Sequence, residues 1–297
     1  MANLKEIRTR ITSVQSTMQI TSAMKMVAAA KLRKAQNAVT TMRPYAAKLQ
    51  EIMQDLSASL EGSNENVFTT DREPEKVLLV VITSNRGLCG AFNINVVKEA
   101  IKQAEGKFAA QLKKGNVDFF CVGKKGADTL KSKGFSVKET ETALFDKLNF
   151  ENTAPFAEKL MQQFAAGEYD RIVLVYNQFK NAAVQILQTE QFLPVPETVA
   201  EGKAEAGTHK QADYIFEPGK EEIINELIPK TLKVQFYKAL LDSFAAEHGA
   251  RMTAMHQATD NATALLKDLK LTYNKARQAS ITNEILEIAG AAEALKG

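Results

Sequence analysis

The decapeptide SNRGLCGAFN, residues 84–93, holds the densest collection of residue types able to do chemistry. It follows the apolar run KVLLVVIT (76–83) and precedes the helical pattern NVVKEAIKQAE, which is where a phosphate-cradling loop would sit between strand and helix. The spacing argues against that use. The Lys-Ser/Thr pair of a P-loop is missing, and Gly87 and Gly90 are too few for a dinucleotide fingerprint. A tight structural turn or a protein-contact loop remains. Cys89 would act as a nucleophile only if a base came close in space, and the three histidines are His209, His248 and His256, the last two on one long helical stretch. No His/Cys/Asp spacing resembles a metal site. The sequence therefore predicts no catalytic, cofactor-binding or metal-ligating residue. The formal glycosylation sequon at Asn261 lies inside a helical pattern in a chain with no secretory signal, and is set aside.

What remains is charge and apolar patterning. The 297 residues are 45% hydrophobic and 25% charged, with a net charge of only +3. The charge is unevenly spread. Lys5, Arg8, Arg10, Lys25, Lys31, Arg33, Lys34, Arg43 and Lys48 fall in the first fifty residues, opposed by Glu6 alone. A basic helix calls for an acidic partner: a protein surface, anionic lipid or nucleic acid. It is not read as an organelle transit peptide, because the apolar pattern runs unbroken past any cleavage site. No run of about 18 apolar residues is present to span a membrane. Two cysteines, Cys89 and Cys121, make no disulfide framework and fit a reducing compartment.

The elements that position these residues follow from periodicity. Steps of three and four give Leu4, Ile7, Ile11, Val14, Met18, Thr21, Lys25, Ala28, Leu32, Ala35, Val39, Met42, Ala46, Leu49, Met53, Leu56 and Leu60, one stripe facing a partner helix. Pro44 is expected to bend that helix. A similar stripe, Tyr237, Leu241, Phe244, His248, Met252, Met255, Thr259, Ala262, Leu266, Leu269, Tyr273 and Ala276, lies on a helix read from about Pro229. Two long helices at opposite ends of the chain predict one antiparallel coiled coil. Between them, KVLLVVIT, VDFFCVG (117–123), RIVLVYNQF (171–179) and AAVQILQTEQFLP (182–194) read as strands, with helices after the first and before the third. That alternation predicts an α/β domain with a largely parallel sheet. The fold class is α/β plus a long coiled coil: an N-terminal helix over 1–60, an inserted α/β domain over 75–215, and a C-terminal helix over 219–297. The polar stretch 196–212 reads as an exposed loop.

Only Thr21 and Lys25 break the first stripe. A lysine at a core position lowers stability and sets register or partner. Either the stripe has rotated out of the seam there, or Lys25 snorkels towards an acidic partner. The Ala-rich MVAAA (26–30) lets two helices approach closely. At the other end ITNEILEIAGAAEALKG leaves Ile285, Leu286 and Ile288 apolar on more than one face, and an exposed apolar end asks for an enclosing protein.

Three stretches, ITSAMKMVAAAKLRKAQ (20–36), SNRGLCGAFNIN (84–95) and ARMTAMHQATDNATALLKDLKLTYNKARQASITNEILEI (250–288), resemble the gamma-subunit family of the F-type ATP synthases, in the family's order; YIFEP (214–218) is a weaker fourth. The likeness covers essentially the whole chain. It implies a coiled-coil shaft beside an α/β domain, and a rotor role with no active site of its own. The shaft turns inside a ring of alpha and beta subunits and couples proton flow through the membrane sector to ATP synthesis or hydrolysis on beta. By resemblance, Met24, Lys25, Arg251, Gln278, Thr282 and Glu284 contact beta, while Arg8, Arg10, Lys31, Arg33 and Lys34 face its acidic loops. Ile285, Leu286 and Ile288 form the apolar bearing tip. The resemblance further implies no cofactor on this chain, with MgATP or ADP on beta. Its partners would be alpha, beta, epsilon and the c ring, with no nucleic acid, no direct membrane insertion and one copy per complex. The expected location is the cytoplasmic side of a bacterial inner membrane, as a peripheral protein. Ala91, Ser22 and His256 depart from the family's frequent Gly, Lys and Lys.

Overall fold

A computed structural model describes residues 4–58, 67–195 and 220–294. The expected loop at 196–212, the YIFEP motif and the stripe residue Leu60 lie outside those residues, and of Met53 and Leu56 only the helical backbone is described. The elements in chain order are α1 (Leu4–Ala58), β1 (Val77–Ile82), α2 (Phe92–Glu105), α3 (Ala109–Lys113), β2 (Val117–Val122), α4 (Lys124–Ser132), β3 (Val137–Glu141), α5 (Phe150–Ala165), β4 (Arg171–Phe179), β5 (Gln185–Leu193) and α6 (Lys220–Ala294), with a 3-10 turn at Ala143–Phe145. The chain divides into two compact units: one of Met1–Ala29 with Arg251–Gly297, the other of Ala30–Ala250.

The larger unit is built on a five-stranded sheet of order β3-β2-β1-β4-β5. β1 pairs in parallel with β2 and β4, and β2 with β3, while β5 runs antiparallel to β4. β1 is buried on both faces, which is why it reads as an unbroken apolar run and not an alternating one. Its alternate side chains divide between two cores. Leu78, Val80 and Ile82 pack with Phe120, Leu160, Phe164, Leu174, Phe192, Phe236 and Leu240, contributed in part by α5 and α6. Val77, Leu79 and Val81 pack with Val96, Val97, Phe119, Cys121, Leu130 and Val175, contributed in part by α2 and α4. One sheet is thus covered on both faces, the arrangement a parallel sheet requires.

Several elements differ from the sequence reading, the short helices α3 and α4 among them. β3 is a further strand: its sequence, VKETE, alternates half-buried and exposed positions at the sheet edge and carries no apolar run. α6 begins at Lys220 and passes through Pro229. A proline inside a helix removes one backbone hydrogen bond, but Ile228 and Leu232 on either side are buried in the sheet core, and tertiary packing outweighs the local break. α1 likewise continues through Pro44.

In the smaller unit, α1 and α6 run antiparallel. Met18 Sδ lies 3.4 Å from the Thr263 hydroxyl, the Thr21 and Thr259 hydroxyls are 2.9 Å apart, and Lys25 Nζ is 3.4 Å from His256 Nδ1, so positions rise on one helix as they fall on the other. Ile7, Ala28, Met255, Ala262 and Leu269 are buried along this seam. Ala28, at 1% exposure, is the most deeply buried of these, a small side chain of the kind that lets two helices approach closely.

Candidate functional site

The chemistry-bearing loop proves to be a closed structural turn. The Ser84 amide donates to Asn93 Oδ1 at 2.9 Å, and the Ser84 hydroxyl donates to the Arg86 carbonyl at 2.7 Å. Asn93 Nδ2 donates to Ser84 Oγ at 2.8 Å and to Cys89 Sγ at 3.2 Å. Asn93 is one of the α2 residues turned inward, and both Ser84 and Cys89 are buried. The Cys89 thiol is therefore an acceptor within the turn's own network. Cys121 sits inside the sheet, where burial pushes its thiol up to about 12, so it stays protonated and inert at neutral pH. Above this base the loop presents Leu88, 64% exposed and held at φ +64°, a conformation that side chains other than Gly seldom adopt. Among the described residues no group of three His, Cys, Asp or Glu side chains is placed to hold a metal.

The coil surface is the remaining candidate. Of the two polar breaks in the first stripe, Thr21 meets a polar break of the second, whereas Lys25 meets His256, which lies beside that stripe. Thr21 faces Thr259, and each hydroxyl also lies within reach of a carbonyl of its own helix, those of Met18 and Met255. Lys25, half-buried, reaches the ring of His256, an exposed residue of α6. A matched pair of polar positions penalises every other register of the two helices.

With the inner arc of α1 engaged, its outer arc is left apolar. Ile20 is 59% exposed, Met26 65% and Val27 57%. Ala23 and Ala30 lie on the same arc and are exposed, whereas Met24 is half-buried on its flank. Sequence reasoning singled out Met24 and passed over Ile20, Met26 and Val27. The signal was available: these three lie out of phase with the seam they accompany. On α6, every residue from Ile281 to Gly290 is exposed, Ile281, Ile285, Leu286 and Ile288 among them. Contiguous apolar surface of this kind marks a protein-contact site.

Of the other expected contact residues, Gln278, Thr282 and Glu284 are exposed on α6; the Thr282 hydroxyl donates to the Gln278 carbonyl at 2.9 Å, and Glu284 Oε1 accepts from Ser280 Oγ at 3.4 Å. Arg251 is buried, only 8% exposed, and so belongs to the packed part of α6. Arg8, Arg10, Lys31, Arg33 and Lys34 are all exposed. No helix among the described residues is long and apolar enough to cross a membrane.

A family profile described as ATP synthase matches residues 3–295. The chain is 65% identical over 297 residues to the ATP synthase gamma chain of Flavobacterium johnsoniae and 58% identical to that of Christiangramia forsetii, covering all of both chains in each case. Among solved structures it is similar to a chain of the central stalk and c-ring of the Tetrahymena thermophila mitochondrial ATP synthase, with a TM-score of 0.59 and 28% identity over 80% of this chain and 99% of that one. A chain from the Euglena gracilis mitochondrial enzyme shares the fold, with a TM-score of 0.69 and 24% identity over 98% and 94% of the two chains.

Proposed function

Because the chain belongs to the ATP synthase gamma-chain family, we propose that its exposed apolar arcs are bearing surfaces turned inside a ring of alpha and beta subunits. The chain is the gamma subunit of an F-type ATP synthase, its central-stalk rotor, and carries no catalytic site of its own. The observation that carries the bearing reading is the run of exposed apolar side chains at Ile281, Ile285, Leu286 and Ile288, on a helix whose stripe positions from Tyr237 to Ala276 are buried or half-buried. Apolar contact is non-directional, so it tolerates a changing angle between shaft and ring. In this reading MgATP and ADP act on the beta subunits. Met24, Lys25, Gln278, Thr282 and Glu284 touch beta, Arg251 supports that contact from within the coil, and the basic residues Arg8, Arg10, Lys31, Arg33 and Lys34 face acidic loops. Residues 1–60 and 219–297 form the shaft, and the α/β domain over 75–215 meets epsilon and the c ring. The protein, one copy per complex, is held at the cytoplasmic face of a bacterial inner membrane by those partners.

Reconstitution tests this. Mixed with alpha and beta from the same organism, the chain is expected to co-elute with them on gel filtration and to raise MgATP hydrolysis above that of alpha and beta alone. Elution of the chain by itself with unchanged hydrolysis would end the reading, and a salt titration against nucleic acid would then test the basic helix as a polyanion binder. Within the complex, Met24→Lys is expected to impair coupling of hydrolysis to proton pumping more than hydrolysis itself, since a cation on the flank of the apolar arc adds angle-dependent attraction to acidic loops. A parallel fall of both rates would show that Met24 serves assembly alone.

A further inference from the structure

The Lys25–His256 contact has a third member. His256 Nδ1, 3.4 Å from Lys25 Nζ, is also 3.4 Å from Asp260 Oδ2, one turn along α6. One ring nitrogen cannot serve both neighbours in the same state. Towards an ammonium it must be a bare acceptor; towards a carboxylate it must carry a proton. Histidine is the side chain whose ordinary charge change falls between about pH 5 and 8. Among the described residues, the charged groups within reach of the ring are Lys25 from α1 and Asp260 from α6. The adjoining Thr21–Thr259 pair is neutral and does not titrate in this range. His256 is an exposed residue and the Asp260 side chain is 65% exposed, so the proton comes from solvent without any opening of the coil.

We propose that His256 is a positioning residue for Lys25. The neutral ring holds the Lys25 ammonium along α6. The protonated ring turns its Nδ1–H to Asp260, repels the ammonium, and releases Lys25 towards the surrounding subunits. Only a proton is exchanged, and no covalent bond changes. The Lys25 end of the inference rests on the reading of that residue as a contact to the ring of subunits; the positioning itself stands on the geometry within this chain. Proton uptake at the shaft then sets how far a cation projects from it, which makes the strength of the shaft–ring contact a function of pH.

Two measurements separate the parts. In the full-length chain, selectively labelled for lysine and histidine, cross-peaks between the Lys25 side chain and the His256 ring are expected at about pH 8 and lost at about pH 5.5. In the His256→Gln variant, labelled for lysine and glutamine, the introduced amide oxygen accepts at every pH, so contacts from Lys25 to that side chain should persist across the range. Wild-type cross-peaks that survive protonation, or that are absent at both values, overturn the positioning. In the assembled complex, the ratio of hydrolysis rates at the two pH values is expected to differ between wild type and His256→Gln by about two- to fivefold, the scale of an exposed charge contact. Lys25→Met should remove that difference. If the cross-peaks behave as expected and the subunits co-elute, but the two pH profiles coincide, release of Lys25 onto the ring is overturned while the rotor reading stands. Failure to co-elute overturns the rotor reading and leaves the positioning to the spectra.

Discussion

Gly123→Ala is expected to lower the stability of the sheet-bearing unit by about 3–5 kcal/mol, combining the cost of steric overlap with that of a disfavoured backbone conformation. Gly123 follows β2 and caps α4 at φ +107°, and a Cβ there would lie 2.2 Å from the Thr83 carbonyl oxygen, inside contact distance of backbone that cannot move away cheaply. The approach is tight for a reason. Thr83 continues β1, its amide donates to the Val122 carbonyl at 2.8 Å, and its hydroxyl accepts from the Gly126 amide at 2.9 Å, closing the start of α4 onto the strand ends. Gly126 is also crowded, less severely, with a Cβ position 2.6 Å from the side-chain atom Thr83 Oγ1. The control is Gly134→Ala. Gly134 also has a positive φ, +84°, but nothing lies within 4 Å of its Cβ position, so only backbone strain of about 1 kcal/mol applies. The chain has no tryptophan, so hydrogen exchange of the β1 and β2 amides is the suitable local readout. Equal losses in the two variants would mean that the crowding against Thr83 relaxes and that strain alone governs.

These glycines show where sequence reading stops. The seam of the coil was legible because a heptad stripe is a property of one helix at a time. In α1 every described side chain of the stripe, from Leu4 to Leu49, is buried or half-buried, as is every one from Tyr237 to Ala276 in α6. β1, β2 and β4 were legible because burial on both faces needs near-continuous apolar runs, whereas β5, exposed or half-buried until Phe192, was legible only from its strand-forming residues. β3 was not, since VKETE occupies an edge that asks only for alternation. α4 was not, because Gly126 lowers helix propensity at the point where close approach to Thr83 demands it. The surface fared similarly. The apolar tip was visible as residues with no periodic partner, and Lys25 as a charge in the wrong place. That Lys25 meets His256, and Thr21 meets Thr259, depends on the register between helices some 230 residues apart in sequence, which neither stripe contains by itself. Arg251 illustrates the converse: a motif match identifies the residue, but its burial follows from the packing of its neighbours.

Arg43→Ala is expected to destabilise the same unit by about 3 kcal/mol, the low end of the cost of orphaning a buried charge because Arg43 is itself partly exposed. Its guanidinium Nη2 donates to the Phe179 carbonyl at 2.7 Å and to Asp242 Oδ1 at 2.8 Å, so it joins α1 to the end of β4 and to α6. Asp242 is 1% exposed, and its second oxygen has no hydrogen-bond partner among the described residues. Burial pushes the Asp242 carboxyl above its ordinary value; the Arg43 hydrogen bond and charge oppose this, Lys238 adds a smaller opposing pull, and Glu190 acts with burial. The sign follows. With a raised folded value the native state binds more protons than the unfolded chain, so Asp242 costs stability as pH rises from the ordinary carboxylate range, about 3.9, through that raised value. Above this window the full cost is present. Removing Arg43 strips away the main opposition, so the loss should extend to higher pH, whereas Asp242→Asn should abolish this part of the pH dependence and cost much less at neutral pH. A further variant, Arg43→Met with Asp242→Leu, tests the cause. If the orphaned carboxylate is responsible, replacing both members by apolar side chains recovers most of the loss. If Arg43→Ala is as costly in the Asp242→Leu background as in wild type, the loss lies in the packing of the arginine stem and its bond to Phe179. In that case the joint between α1 and the sheet, not the ion pair with α6, is what Arg43 contributes to the stability of this unit.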